Sequence, residues 1–224
     1  VQIVRQEIMT EIRSLLFDVD GTLLDTTEFI LKAAEHALAT HGYPIPDRSI
    51  ISKLVGKPFD EFYGALGGSE NIILLENTHR EFQKKNLHLS GPYPRTLAVL
   101  TKLHEQGFRM AAVTSRSKIT SLETLRRADI HSFFDAIISG EDTAELKPHP
   151  APLLKALELL GEVPSRSCMI GDSHADIEAG ISAGCRTIRA TYGFHTERLH
   201  DPEPDFFIDH IADLLKIFNV PKYQ

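Results

Sequence analysis

"SLLFDVDGTLLDTT", residues 14–27, decides how the rest of the chain is read. Residues 14–17 form a short apolar run of the kind that makes a strand covered on both faces. The run stops at Asp18. Asp20 follows after one residue, and Gly21 and Thr22 then signal a turn. Two carboxylates this close repel. The spacing therefore points to a turn, a metal site, or a nucleophile beside its acid/base partner.

Similar runs recur downstream as "RMAAV" (109–113), "DAIIS" (135–139), "SCMI" (167–170) and "CRTIRA" (185–190). Helical patterns lie between them. Residues 94–107 place Leu97, Leu100 and Leu103 three apart before the stop signal Gly107. Residues 117–127 offer Ser117 as a cap and Ile119, Leu122 and Leu125 as one face. Residues 150–161 and 174–184 repeat the scheme and end at Gly161 and Gly184. Strands alternating with helices imply a parallel sheet with right-handed crossovers, an α/β, Rossmann-like core.

The stretch between residues 26 and 91 departs from this rhythm. Phe29, Ile30, Ala33, Ala34, Ala37 and Leu38 form one apolar stripe, and Phe59, Phe62, Tyr63 and Leu66 form another. Asp47 is placed to cap a short helix carrying Ile50, Ile51 and Leu54. Ser69 is placed to cap a longer one with Ile72, Ile73, Leu75 and Phe82. "GPYP" (91–94) reads as a return hinge. The expected organisation is a catalytic core of residues 1–25 and 92–224 with an all-helical cap domain, 26–91, inserted after the first strand.

A chain of 224 residues has room for this. Its 42% apolar and 25% charged content is that of an ordinary globular protein. A net charge of -7 argues against a nucleic-acid surface, and no apolar run is long enough to span a bilayer. The opening residues are punctuated by charge and hold no signal-peptide core; residues 1–8, ahead of Met9, are expected to be a dispensable extension. The only cysteines, Cys168 and Cys185, lie in apolar stretches and read as core residues, which fits a reducing cytoplasm.

In parallel α/β sheets, ligands bind outside the carboxyl ends of the strands. Those ends carry Asp18 and Asp20, then Thr114 and Ser115, then Asp172 and Asp176, with Lys147 on a loop between them. That set suits phosphoryl transfer. A hard cation such as magnesium relieves the repulsion among the carboxylates, with Asp18 and Asp172 as direct ligands. One carboxylate attacks phosphorus and another serves as acid and base. Thr114 and Lys147 stabilise charge on the transferring oxygens.

Four motifs, "FDVDGTL" (17–23), "VTS" (113–115), "KP" (147–148) and "GDSHAD" (171–176), carry a resemblance to the haloacid dehalogenase superfamily. They stand in that family's order. The chain is similar in particular to the helical-capped branch of phosphoglycolate phosphatases and β-phosphoglucomutases. The resemblance covers the chain from about residue 12. It implies Asp18 as nucleophile, Asp20 as general acid/base, and Mg2+ held by Asp18, Asp172 and the backbone carbonyl of Asp20. It also implies that Thr114 and Lys147 hold the phosphoryl group while Asp176 orients a metal-bound water or Lys147. Ser115 is expected to offer its backbone N–H to phosphate. In the cap, Lys57 lies where that branch often presents specificity residues, and Arg116 follows the second motif; both are candidates to contact the leaving group.

For Asp176 the plainer reading is a helix N-terminus, and for Lys57 and Arg116 a surface charge. None of the eleven histidines has zinc-ligand spacing. His174 belongs to the rim, and His195 is a candidate for the site mouth. The function expected is a magnesium-dependent phosphatase of a small phosphorylated metabolite, a monomer or homodimer. The alternatives are a β-phosphoglucomutase-like phosphotransferase, an inorganic pyrophosphatase, and a non-catalytic regulatory protein on the same fold. A dehalogenase is disfavoured because Asp20 is present, and a phosphonatase because no cap lysine is placed as its amine.

Overall fold

The computed structural model describes residues 9, 11–196 and 200–220. Six strands form one sheet: β1 (Ser14–Phe17), β4 (Arg109–Val113), β5 (Ala136–Ile138), β6 (Ser167–Gly171), β7 (Arg186–Ala190) and β8 (Phe206–Ile208). Their order is β5-β4-β1-β6-β7-β8, and every pairing is parallel. β1 is central, and its three apolar residues are fully buried. The pleat divides each central strand between two cores. Leu15, Phe17, Met110, Ala112, Cys168 and Ile170 face one, while Leu16, Ala111, Val113 and Met169 face the other. The first core is closed by helices α5 (Thr96–Glu105) and α9 (Leu214–Ile217). The second is closed by α7 (Ala151–Leu160) and α8 (His174–Ala183). Helix α6 (Lys118–Arg127) follows β4 and adds Leu125 to the first core.

Register sets the site. Phe17 lies beside Ala112 on one flank and Ile170 on the other. The residues just past the ends of β1, β4 and β6 therefore emerge together.

Between the two halves of this core run α1 (Thr27–Thr40), α2 (Arg48–Ser52), α3 (Phe59–Ala65) and α4 (Ile72–Lys85). They have their own core, in which Leu31, Leu38 and Ile51 meet Phe62, Tyr63 and Leu75. Asp47 caps α2 by accepting from the Ser49 N–H at 2.8 Å. Two short strands, β2 (Leu24–Asp25) and β3 (Gly91–Pro92), pair antiparallel and bring the ends of the helical stretch side by side. Phe29, Ile30 and Val55 form a further cluster, against which Leu87, Leu89 and Phe194 pack.

Several local expectations differ from the structure. Leu97, Ile119 and Ile73 are exposed, because each helix is rotated relative to the apolar stripe read from it. Helix α5 buries Thr96, Val99, Leu100 and Leu103, and α6 buries Thr120, Ser121, Thr124 and Leu125. Small hydroxyl residues thus take core positions where larger aliphatic ones were expected. The Ser117 hydroxyl pairs with that of Thr120 and caps no backbone amide. Ser69 opens a 3-10 turn, and α4 begins after it at Ile72 with Asn71 as its N-cap. Strands β2, β3 and β8 are too short to show periodicity. The expected N-terminal extension, residues 1–8, lies outside the described residues. No helix among the described residues is long and apolar enough to cross a membrane.

Candidate active site

Beyond β1 the backbone turns on itself. The N–H groups of Leu23 and Leu24 donate to Val19 O at 3.0 and 2.9 Å, and Gly21 N donates to Leu24 O at 2.9 Å. Gly21 has φ of 82°, and a Cβ there would lie 2.5 Å from Asp172 Oδ2. Only glycine lets this turn sit against Asp172. Val19 is buried in the core between the two acids. Asp18 is fixed through its own N–H, which donates to Ile170 O at 2.9 Å.

Lys147 organises the centre. Its Nζ donates to Asp18 Oδ1 and to Asp176 Oδ1, both at 2.6 Å, and to Val113 O at 2.9 Å. All three donor positions of the ammonium are filled. Asp176 is also the N3 residue of α8. Its Oδ2 accepts from the N–H and the hydroxyl of Ser173, completing a capping box. The helix-terminus reading and the site reading of Asp176 thus describe the same side chain. Asp172 Oδ2 accepts from Phe194 N at 2.7 Å and His195 N at 3.4 Å. His195 was legible as a candidate for the site mouth, but not the hold of this loop's backbone on Asp172. Gly193 permits that approach, because a Cβ there would strike Gly21 O and Asp172 Oδ2.

Thr114 is buried, and its Oγ1 accepts from Arg116 N at 3.1 Å. That leaves the hydroxyl proton free to be donated. Arg116 turns to Asp20: Nη1 donates to Oδ1 at 2.9 Å, while Nη2 donates to Thr120 O at 3.1 Å. Its guanidinium lies 4.8 Å from the Phe29 ring centroid. Lys57 is half-exposed and paired with Glu61 at 3.2 Å. His174 pairs with Glu178 on the exposed face of α8.

The electrostatics follow from burial. Asp18 is 7% exposed. Burial drives its carboxyl well above the usual range; Lys147 opposes this, and Asp176, Asp172 and Asp20 add to it. Asp172 is raised to about 7, again by burial first and by Asp176 second. Burial alone would lower Lys147, but Asp176 and Asp18 raise it. Carboxylate oxygens of Asp18, Asp172 and Asp176 lie within 4.8 Å of one another. One ammonium cannot balance three carboxylates. The donors are all oxygen, and a hard divalent cation fits both their chemistry and the missing charge. Asp176 has both oxygens committed to Lys147 and Ser173. Asp18 Oδ2 and Asp172 Oδ1 receive no hydrogen bond from the described residues.

Above these residues is a cavity of about 410 Å³, walled on one side by Asp18, Asp20, Thr114, Ser115 and Lys147. The helical stretch supplies the other side, with Lys57, Phe59 and a stripe on α4. Arg116 and His195 also line it. The polar residues of that α4 stripe, Glu76, His79, Arg80 and Gln83, carry no motif in the sequence that sets them apart from a solvated helix face.

A model of the haloacid dehalogenase-like hydrolases matches residues 15–190. Pyrophosphatase PpaX of Anoxybacillus flavithermus is 34% identical over 212 residues, covering 93% of this chain and 98% of that protein. Phosphoglycolate phosphatase of Aquifex aeolicus is 32% identical over 219 residues, covering 92% and 97%. Among solved structures, a predicted phosphoglycolate phosphatase from Haemophilus somnus superposes with a TM-score of 0.86 at 27% identity, over 93% of this chain and 99% of that one.

Proposed function

The chain belongs to the haloacid dehalogenase-like hydrolases as an enzyme of the phosphatase kind, and from that premise we propose that it hydrolyses a small phosphorylated metabolite with Mg2+ through a phosphoryl group carried on Asp18. The observation that carries the reading is Asp18 itself. It is a buried carboxylate with Oδ1 held by Lys147 at 2.6 Å and Oδ2 left without a partner among the described residues.

Asp18, Asp172 and the carbonyl of Asp20 would hold Mg2+. Bound there, the ion supplies the positive charge that lets the buried acids ionise together and that offsets charge on the phosphoryl oxygens. Asp18 Oδ2 attacks phosphorus, and the bond from phosphorus to the leaving oxygen breaks. Asp20, two residues along and on the cavity wall, gives that oxygen its proton. Asp20 then takes a proton from water as the water attacks phosphorus. Phosphate leaves, and Asp18 is restored as carboxylate. Thr114 donates its free hydroxyl proton to a phosphoryl oxygen, Ser115 its backbone N–H, and Lys147 holds the nucleophile in place. Asp176 keeps Lys147 charged and aligned. The helical insertion excludes bulk water and selects the leaving group.

The test is phosphate release from p-nitrophenyl phosphate with magnesium and with chelator, using wild-type protein and Asp18→Asn. Release by the wild type that chelator abolishes, and none by Asp18→Asn with its fold intact, is expected. Wild-type turnover by Asp18→Asn would refute the assignment. Phosphate appearing free in solution also separates a hydrolase from a phosphotransferase.

A further inference from the structure

The cavity wall opposite Asp18 contains two buried polar side chains with unused hydrogen-bonding capacity. His79 is 3% exposed and Gln83 is 5% exposed. They stand one turn apart on α4, and both line the cavity. His79 Nδ1 is taken by the Tyr63 hydroxyl at 2.7 Å. Phe59 and Phe62 pack against the His79 ring, with centroids 5.0 and 6.2 Å away. Neither Nε2 of His79 nor the carboxamide of Gln83 has a partner among the described residues, and neither is sealed from the cavity. Buried polar groups are nearly always satisfied, so such a pair facing a cavity marks where a ligand or its water bonds.

The charges on this wall narrow the ligand. Among the described residues, every lysine and arginine lining the cavity is already paired with a carboxylate. Lys57 meets Glu61 at 3.2 Å, Arg80 meets Glu76 at 2.7 Å, Arg116 meets Asp20 at 2.9 Å, and Lys147 meets Asp18 and Asp176. Asp60 and Glu141 add further negative charge to the lining. His79 is neutral, because burial pushes it down to about 3. A carboxylate or second phosphate on the leaving group would have to draw one of these cations away from its carboxylate. A hydroxyl would find a neutral imidazole nitrogen and an amide. At roughly 30 Å³ per water, a volume of about 410 Å³ also exceeds what a phosphoryl group alone occupies.

We propose that the substrate is a phosphate ester of an uncharged polyhydroxyl compound, a sugar or polyol phosphate, whose hydroxyls are read by His79 Nε2 and the Gln83 carboxamide. This rests on the phosphatase reading above and names the leaving group for the same site.

The first measurement is kcat/KM of the wild-type enzyme with magnesium for glucose 6-phosphate, glycerol 3-phosphate, phosphoglycolate, pyrophosphate and p-nitrophenyl phosphate. At least one of the two neutral-alcohol esters is expected to exceed both phosphoglycolate and pyrophosphate by about tenfold or more. Gln83→Leu is expected to lower the ratio of kcat/KM for that ester to that for p-nitrophenyl phosphate about three- to tenfold, the worth of one neutral hydrogen bond, mainly through KM. The second measurement is calorimetric titration of Asp18→Asn with the same esters, which reads affinity without turnover and should give the same order. Preference for phosphoglycolate or pyrophosphate, or an equal loss on every substrate in Gln83→Leu, overturns the assignment of the leaving group while the phosphatase reading stands. No hydrolysis of any ester by the wild type overturns both.

Discussion

Lys147→Met tests the centre of the site most directly. The substitution keeps an unbranched side chain, one heavy atom shorter, and removes the charge. Each contact at 2.6 Å is worth about 6 kcal/mol of Coulomb attraction at an effective dielectric near 20. Dehydration of the buried ions offsets several kcal/mol of that per ion. Breaking a buried pair while leaving its partner in place costs about 3–5 kcal/mol. Here the partners are two carboxylates, and the cost depends on pH. Without Lys147, the Asp18 carboxyl, already raised by burial, loses the one neighbour that lowers it and binds its proton more readily in the folded state. The folded variant then holds a proton on Asp18 that its unfolded chain has lost, so its stability falls against wild type as pH rises, by up to about 1.4 kcal/mol per pH unit. The assay is urea unfolding of metal-free protein near pH 5.5 and near pH 8. With a slope of about 2 kcal/mol/M, the midpoint should drop by roughly 1.5–2.5 M at the higher pH and by less than half that at the lower. A drop worth under about 1 kcal/mol near pH 8, or equal drops at both pH values, would show that Lys147 is not the counter-ion of this cluster.

Asp172, raised to about 7, is largely neutral in mildly acidic solution and must lose its proton to bind a cation. Magnesium should therefore raise the melting temperature little near pH 5.5 and increasingly through pH 7, and equal stabilisation at both would exclude Asp172 as a ligand. In the metal-free protein the same raised carboxyl makes stability fall, through this group, as pH rises from about 4 to about 7. Gly21→Ala combines a positive φ with a Cβ placed 2.5 Å from Asp172 Oδ2; a loss of about 2 kcal/mol or more by thermal unfolding is expected, with activity lost alongside. Asp20→Asn should slow hydrolysis of alkyl phosphates far more than of aryl phosphates, whose leaving oxygen needs less protonation; equal losses would remove the acid role.

Much of the core was legible in the residues. A run such as Leu15–Leu16–Phe17 is buried on both faces of a parallel sheet, so its position in the sheet shows directly in composition. Asp18, Asp20, Thr114 and Asp172 each close such a run, and strand ends in parallel sheets share one rim. Helix phases were less legible. Burial of Thr120, Ser121 and Thr124 in α6 in place of Ile119 reflects packing against neighbours that hydrophobicity alone does not encode.

By itself, the sequence determined the alternation of strand and helix, the helical insertion and the set of acids at the strand ends, because these follow from local patterning and chain order. The tertiary structure decided which groups are spent and which are free. Lys57 has its partner Glu61 only four residues away, but only the fold brings Arg116 to Asp20, 96 residues distant in the chain. His79 and Gln83 were ordinary polar residues in a helix until α4 turned them inward, leaving His79 Nε2 and the Gln83 carboxamide without a partner among the described residues. Whether a polar group is satisfied depends on what residues far along the chain bring within hydrogen-bonding distance, and no local pattern records that.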